Sequence, residues 1–369
     1  MGTFSKNYFS SDEILSQIVV LLVLLFYWLS VCSAAPSVFV FGDSLVDVGN
    51  NNYIASLSKA NYIPNGIDFG TPTGRYTNGK TIADIICQEL GVTTFPPPYL
   101  APTTTGDVVI QGVNYASGGG GILNHTGKIF IGRINMDAQL DNFANTRQDI
   151  ISRIGAIAAT KLLRNSIFSI IMGSNDLINN FQSPASPIPS LISQDEFANA
   201  LISRFRVQLT RLYSLGARKI IVANVGPIGC IPYQRDLNKM TTDDCVALPN
   251  QLANLFNGKL RSLVIELRSN LEGSNFVYAD AFACVSDIVQ NYKAYGFENP
   301  TSACCRVAGR FGGLIPCAPP SKVCPDRSKY VFWDPYHPSE ASNMIIAKRL
   351  TDGDSRYVYP INVRKLVQS

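Results

Sequence analysis

Short apolar runs of β-branched and aromatic residues alternate along this chain with longer stretches whose apolar positions recur every three or four residues. The runs predict strands over residues 37–41, 167–172, 219–224 and 275–280, with a weaker one over 108–114. Between them, residues 195–215 carry apolar side chains at 197, 201, 205, 209 and 212, one face of a helix that Gly216 stops. Residues 81–90 and 251–271 read as helices too, as do 338–350, where Pro338 and Ser339 start the helix and Glu340 sits in its first turn. Strands alternating with helices predict an α/β fold with a parallel sheet between helices. Long connections run over 61–76, over 94–106 with Phe95-Pro96-Pro97-Pro98, and over 184–188; they fit ordered surface loops and substrate-recognition loops equally.

Three of the strands are followed at once by small polar residues: Gly42-Asp43-Ser44, Ala116-Ser117-Gly118-Gly119 and Gly173-Ser174-Asn175-Asp176. The carboxyl ends of strands in an open α/β sheet form the ligand crevice, so these loops are expected to converge.

The N-terminus breaks the pattern. Lys6 precedes an apolar run from Ile18 to Val31, and Cys32-Ser33-Ala34-Ala35-Pro36 follows it. A run of about 14 residues is short of the roughly 20 that span a bilayer, so residues 1–35 are expected to be a secretory signal cleaved after Ala34 or Ala35. A signal anchor or a buried helix is the alternative, but a core strand already starts near Val38. Residues 36–369 then form one domain, exported and with no stable membrane span.

Composition narrows the classes of function. The 369 residues are 46% hydrophobic and 16% charged with a formal charge of +4, and no Lys/Arg run is dense enough to follow a phosphate backbone, so nucleic acid is not an expected partner. Removing the signal takes Cys32 and leaves eight cysteines: Cys87, Cys230, Cys245, Cys284, Cys304, Cys305, Cys317 and Cys324. An even set in an exported chain points to disulfides, and five of the eight follow residue 280, where bridges would pin a loop-rich segment. Their spacing does not resemble a zinc site. Cys87, inside a predicted helix, fits a buried free thiol equally well. Asn124-His125-Thr126 is a glycosylation sequon consistent with export.

Ser44 taken alone reads as a helix N-cap more readily than as a nucleophile. A serine nucleophile needs a base, and the chain holds only two histidines: His125, inside the sequon, and His337. Asp334 lies three residues before His337, a spacing that suits either a carboxylate orienting an imidazole or a structural capped turn. An acyl-transfer site also needs oxyanion donors. Gly119 can offer an unobstructed backbone N–H and Asn175 a side-chain amide, although Gly118 would take that place if the loop register shifted. Asn50-Asn51-Asn52 can hydrogen-bond a tight loop backbone. No Gly-x-Ser-x-Gly elbow, phosphate-binding loop or Gly-x-Gly-x-x-Gly motif occurs.

With these residues in view, the chain resembles the plant GDSL esterase/lipase family of the SGNH hydrolase superfamily. The resemblance rests on Phe41-Gly42-Asp43-Ser44-Leu45-Val46-Asp47 with Gly49-Asn50-Asn51-Asn52, on Asn114 to Gly119, on Gly173-Ser174-Asn175-Asp176 and on Asp334-Pro335-Tyr336-His337-Pro338. It extends through Asn224-Val225-Gly226-Pro227-Ile228-Gly229-Cys230, Ala303-Cys304-Cys305 and Tyr330-Val331-Phe332-Trp333, and so covers the chain from about residue 37 onward. The resemblance implies a three-layer α/β/α, flavodoxin-like fold. It also implies a Ser44 nucleophile, a His337 base and an Asp334 orienter, with the Ser44 N–H, Gly119 and Asn175 as the oxyanion hole and no metal or organic cofactor. The substrate is then an ester of a lipid, a cutin-like polymer, an acetylated polysaccharide or a small molecule, met outside the cell in the wall space. An extracellular acyltransferase using the same acyl-serine and a catalytically silent wall-binding protein are the rival readings. Cys87 and Cys284 stand where the family pattern has no cysteine.

Overall fold

The computed structural model describes residues 15–20, 35–181 and 186–369. Residues 15–20 are helical and exposed; apart from Ala35, the rest of the expected signal, Ala34 included, lies outside the described residues. No described helix is long and apolar enough to cross a membrane.

Pro36–Ser369 forms one compact unit built on a five-stranded sheet. Its parallel strands are β1 (Val38–Gly42), β2 (Ile167–Ile171), β3 (Lys219–Ala223) and β4 (Asn275–Ala279), side by side in chain order, with β5 (Val358–Tyr359) antiparallel on β4. β1, β2 and β3 are buried along their whole length, so their runs are apolar without alternation, as strands covered on both faces require. The four strongest predicted strands are all present, with ends displaced by at most one residue.

The predicted strand over 108–114 is corrected. Val108–Gln111 is a single helical turn, and only the stretch from Val113 to Tyr115 runs beside β1, with Val40 N–H donating to Val113 O at 3.0 Å and Tyr115 N–H to Val40 O at 2.7 Å. Gly112 separates the two parts at φ +121, where an added Cβ would collide with the Val38 carbonyl. Val-Val-Ile composition favours a strand, and the turn forced at Gly112 overrides it.

Eight helices cover the sheet: α1 (Ile82–Glu89), α2 (Met136–Ile154), α3 (Ala156–Asn165), α4 (Gln194–Ser214), α5 (Ala247–Asn270), α6 (Ala281–Gln290), α7 (Glu340–Asp352) and α8 (Val363–Gln368). α2, α3, α4 and α5 pack among themselves in one layer, and α1, α6, α7 and α8 in the other, giving the three-layer α/β/α architecture. α1 and α4 each start with a reciprocal capping box, Thr81 with Asp84 and Ser193 with Glu196, and Ser339 caps α7. α2 is the main helix that periodicity did not announce, because polar residues crowd its stripe of Met136, Leu140, Phe143 and Ile150.

Aromatic packing fixes β1. Phe143 of α2 lies 5.4 Å from Phe39 and edge-on to Phe41 at 5.7 Å, and Phe39 stacks on Phe168 of β2 at 5.2 Å. Among the described residues three disulfides form, Cys230–Cys245, Cys304–Cys324 and Cys305–Cys317, and the last two lie in the loop-rich segment before Asp334. Cys304 and Cys305 donate their N–H groups to Phe332 O (3.1 Å) and Trp333 O (2.7 Å), so both bridges brace the strand that leads to Asp334. Cys87 and Cys284 are free and buried.

Candidate active site

β1 ends at Gly42 because nothing larger fits: an added Cβ would lie 2.5 Å from Val46 and 2.6 Å from the Ile171 carbonyl. The strand end is gripped by buried Gln139 of α2, whose Oε1 accepts from Gly42 N–H (2.9 Å) while its Nε2 donates to Gly42 O and Ile134 O, both at 2.8 Å. Ser44 follows on the turn, half-exposed at the floor of a cleft of about 280 Å³.

His337 arrives from the other end of the chain. Its Nε2 is 2.7 Å from Ser44 Oγ, and its Nδ1 is 2.8 and 2.7 Å from the two oxygens of Asp334. Asp334 Oδ1 also accepts the N–H groups of Tyr336 and His337 at 2.8 Å, so the turn that brings these residues together is closed by the same carboxylate that meets the ring. Trp333, fully buried, clamps the turn by donating its N–H to His337 O (2.8 Å) and its indole N–H to Asn65 (2.9 Å). His337 and Asp334 are 7% and 5% exposed, so their hydrogen bonds meet little competition from water. His125, by contrast, is exposed on the sequon loop and does not line the cleft.

The glycine loop is held in one register. Asp47 accepts Gly118 N–H at 2.9 Å, with Gly49 and Asn50 N–H on its other oxygen, and Asn51 donates to Gly118 O at 2.9 Å. That occupies Gly118. Gly119 lines the cleft instead, at φ +84, where a side chain would strike the Phe130 ring. Among the described residues, the N–H groups of Ser44 and Gly119 have no protein acceptor. Asn175 lines the same cleft; its amide donates one hydrogen to Gly120 O at 3.0 Å and keeps the other.

Asp176, which sequence reasoning noted but gave no role, ties two of these loops together. It opens a π-helical turn, Asp176–Phe181, and its carboxylate accepts Ile122 N–H (2.8 Å), Leu123 N–H (3.0 Å) and the Thr126 hydroxyl (2.7 Å). The sequon is thus split: Asn124 is exposed, whereas Thr126 is buried against Asp176 and Asn180. Gln139 was missed as well. A glutamine on the apolar stripe between Met136 and Leu140 is the signal that marks it.

Three buried carboxyls stand around the site. Burial pushes Asp47 and Asp176 up to about 6 against the backbone N–H groups that favour their charge, and pushes Asp43 up to about 7. Asp43 is pushed furthest because it has little relief: Oδ1 accepts Leu45 N–H at 3.0 Å, and Oδ2 has no partner among the described residues. Among the described residues no group of three His, Cys, Asp or Glu side chains is placed to hold a metal ion.

A serine hydroxyl on an imidazole, that imidazole on a carboxylate, and N–H groups of the serine and of Gly119 with no acceptor among the described residues, lining one cleft, can together support acyl transfer. Residues 38–350 match the model of the GDSL-like Lipase/Acylhydrolase family. The chain belongs to the GDSL lipase/acylhydrolase family. Among its GDSL relatives in Arabidopsis thaliana, GDSL esterase/lipase At4g16230 is 61% identical over 357 residues, covering 95% of this chain and 96% of the relative. GDSL esterase/lipase At2g23540 is 50% identical over 335 residues (89% and 87%), and GDSL esterase/lipase 7 is 43% identical over 338 residues (90% and 92%). As a GDSL family member the chain is a carboxylic-ester hydrolase.

Proposed function

We propose that the protein is an exported serine esterase/lipase that works through a covalent acyl-serine. The observation that carries this reading is the 2.7 Å contact between Ser44 Oγ and His337 Nε2, continued by Nδ1 onto Asp334. His337 Nε2 takes the Ser44 proton as Oγ attacks the ester carbonyl, and Nδ1–H donates to Asp334, which stabilises the imidazolium that forms. The Ser44 N–H, the Gly119 N–H and the free hydrogen of the Asn175 amide receive the negative oxygen of the tetrahedral intermediate. Imidazolium then protonates the departing alcohol, and in the second half His337 activates a water that releases the acid and restores Ser44. Export rests on the apolar run from Ile18 to Val31 and on the sequon, whose Asn124 side chain is exposed.

The test is turnover of a short p-nitrophenyl ester by wild type and by Ser44→Ala. Loss of at least about 10³-fold in kcat with an unchanged melting temperature is expected. Activity retained in Ser44→Ala sinks the mechanism, and an inactive wild type that no fluorophosphonate labels favours a silent binding protein.

A further inference from the structure

The cleft does not stop at Ser44. Ile82, Phe332, Ile346 and Leu350 all line it, yet they are 6%, 1%, 1% and 2% exposed, so the space continues beneath the surface. It enters the layer between the sheet and helices α1, α6 and α7. Ile346 and Leu350 stand one turn apart on α7, and Ala281 and Val285 one turn apart on α6, so each helix turns an aliphatic ladder toward the same space. The carboxyl ends of β2 and β3 contribute Ile171 and Ala223. This inner part offers no charged side chain. Among the described residues Lys59 is the single Lys or Arg lining the cleft, and it sits half-exposed beside Leu57 and Ile129, which are 70% and 66% exposed at the mouth.

We propose that this inner space is the acyl-chain site, ending at Val285 and Leu350, and that the alcohol half of the ester faces the mouth. This deepens the reading of Ser44 as acyl acceptor and rests on it. The wall chemistry selects the acyl group: Asn224, the polar side chain next to Ala223, already spends its amide on Tyr278, Asp280 and Phe282 N–H, so a hydroxylated or charged chain would bury polar atoms mainly against Ile, Leu, Val and Phe, whereas a plain alkyl chain loses nothing. Size sets a limit. An apolar cavity of about 150 Å³ holds a benzene ring, so at that density the 280 Å³ cleft has room for roughly eleven non-hydrogen atoms. That volume includes the mouth, where the alcohol half lies, so subtracting the ester head leaves an acyl chain of no more than about six to eight carbons.

The experiment is a series of p-nitrophenyl esters from two to sixteen carbons, with each protein also titrated at Ser44 by a fluorophosphonate. Wild type is expected to show kcat/KM rising to a maximum at about six to eight carbons, because each buried methylene is worth up to about fourfold. Leu350→Trp and Val285→Trp fill the inner end and are expected to lower the C8:C2 ratio of kcat/KM at least about tenfold. Leu350→Ala opens the same end and is expected to move the maximum about two carbons longer, which keeps the idea testable if a Trp variant fails to fold. Ile157→Ser, at a side chain 90% exposed on α3, is the control and keeps the wild-type ratio. Variants that label fully at Ser44 yet keep the wild-type chain-length profile overturn the channel. A wild type that neither labels nor turns over any ester overturns the hydrolase reading itself, a separate result.

Discussion

Replacing Asp176 by alanine tests how the glycine loop is held. The substitution strips the acceptor from three donors: the Ile122 N–H, which is fully buried, the Thr126 hydroxyl, also fully buried, and the Leu123 N–H, which is half-buried. Leaving a buried donor unpaired costs about 1–3 kcal/mol each, with Leu123 near the lower end because water reaches it, so the sum is about 3–7 kcal/mol. Asp176→Asn keeps one acceptor oxygen and removes a carboxyl that burial already pushes up to about 6, so its cost should be smaller, about 1–3 kcal/mol. At roughly 2 °C per kcal/mol for a chain of this size, the melting temperature should fall by about 6–14 °C for Asp176→Ala and about 2–6 °C for Asp176→Asn. Differential scanning fluorimetry at pH 7 measures both. Activity supplies the second readout: the anchored stretch lies between Gly119 and Gly127, and a displaced Gly119 N–H should lower kcat about 10- to 100-fold well below the melting temperature. An Asp176→Ala protein that melts within about 2 °C of wild type and keeps its kcat refutes the reasoning.

Two further outcomes follow from the site. Asn175→Ala removes an oxyanion donor together with its bond to Gly120 O, so kcat should drop about 10²- to 10³-fold with KM changed little; a kcat within threefold of wild type removes Asn175 from the oxyanion hole. Asp43 has a folded-state pKa raised to about 7 from 3.8, so between pH 4 and 7 the folded state binds more protons than the unfolded one and stability falls as pH rises. Asp43→Asn should flatten that part of the melting-temperature profile, and an unchanged slope contradicts the assignment.

Much of this arrangement is legible in the chain because its signals are local. β1 to β4 are buried runs bounded by polar turns, and each places its loop at the same end of the sheet, so Ser44 and Asn175 converge as their positions after strands imply, and Gly119 joins them from the stretch, residues 113–115, that runs beside β1. His337 meets Ser44 across 293 positions of sequence, and what pointed to it was the scarcity of histidine, the Asp334 three residues before it and the family motif that holds both. What escapes is set by long-range backbone hydrogen bonds, which no periodicity encodes. Asp47 and Asn51 choose Gly119 over Gly118 by occupying Gly118 on both sides. Asp176 and Gln139 satisfy backbone groups 53 to 97 positions away. Val108–Gln111 turns helical because the close approach of Gly112 to Val38 limits the edge to Val113 and beyond.

Site-resolved mass spectrometry after fluorophosphonate treatment tests the central claim most directly, with wild type, Ser44→Ala and His337→Ala treated in parallel. The account predicts one adduct per wild-type chain, on the peptide carrying Ser44, none on Ser44→Ala, and labelling of His337→Ala slowed at least about 10³-fold because the serine has lost its base. An adduct on another serine, or labelling of His337→Ala at the wild-type rate, would contradict it.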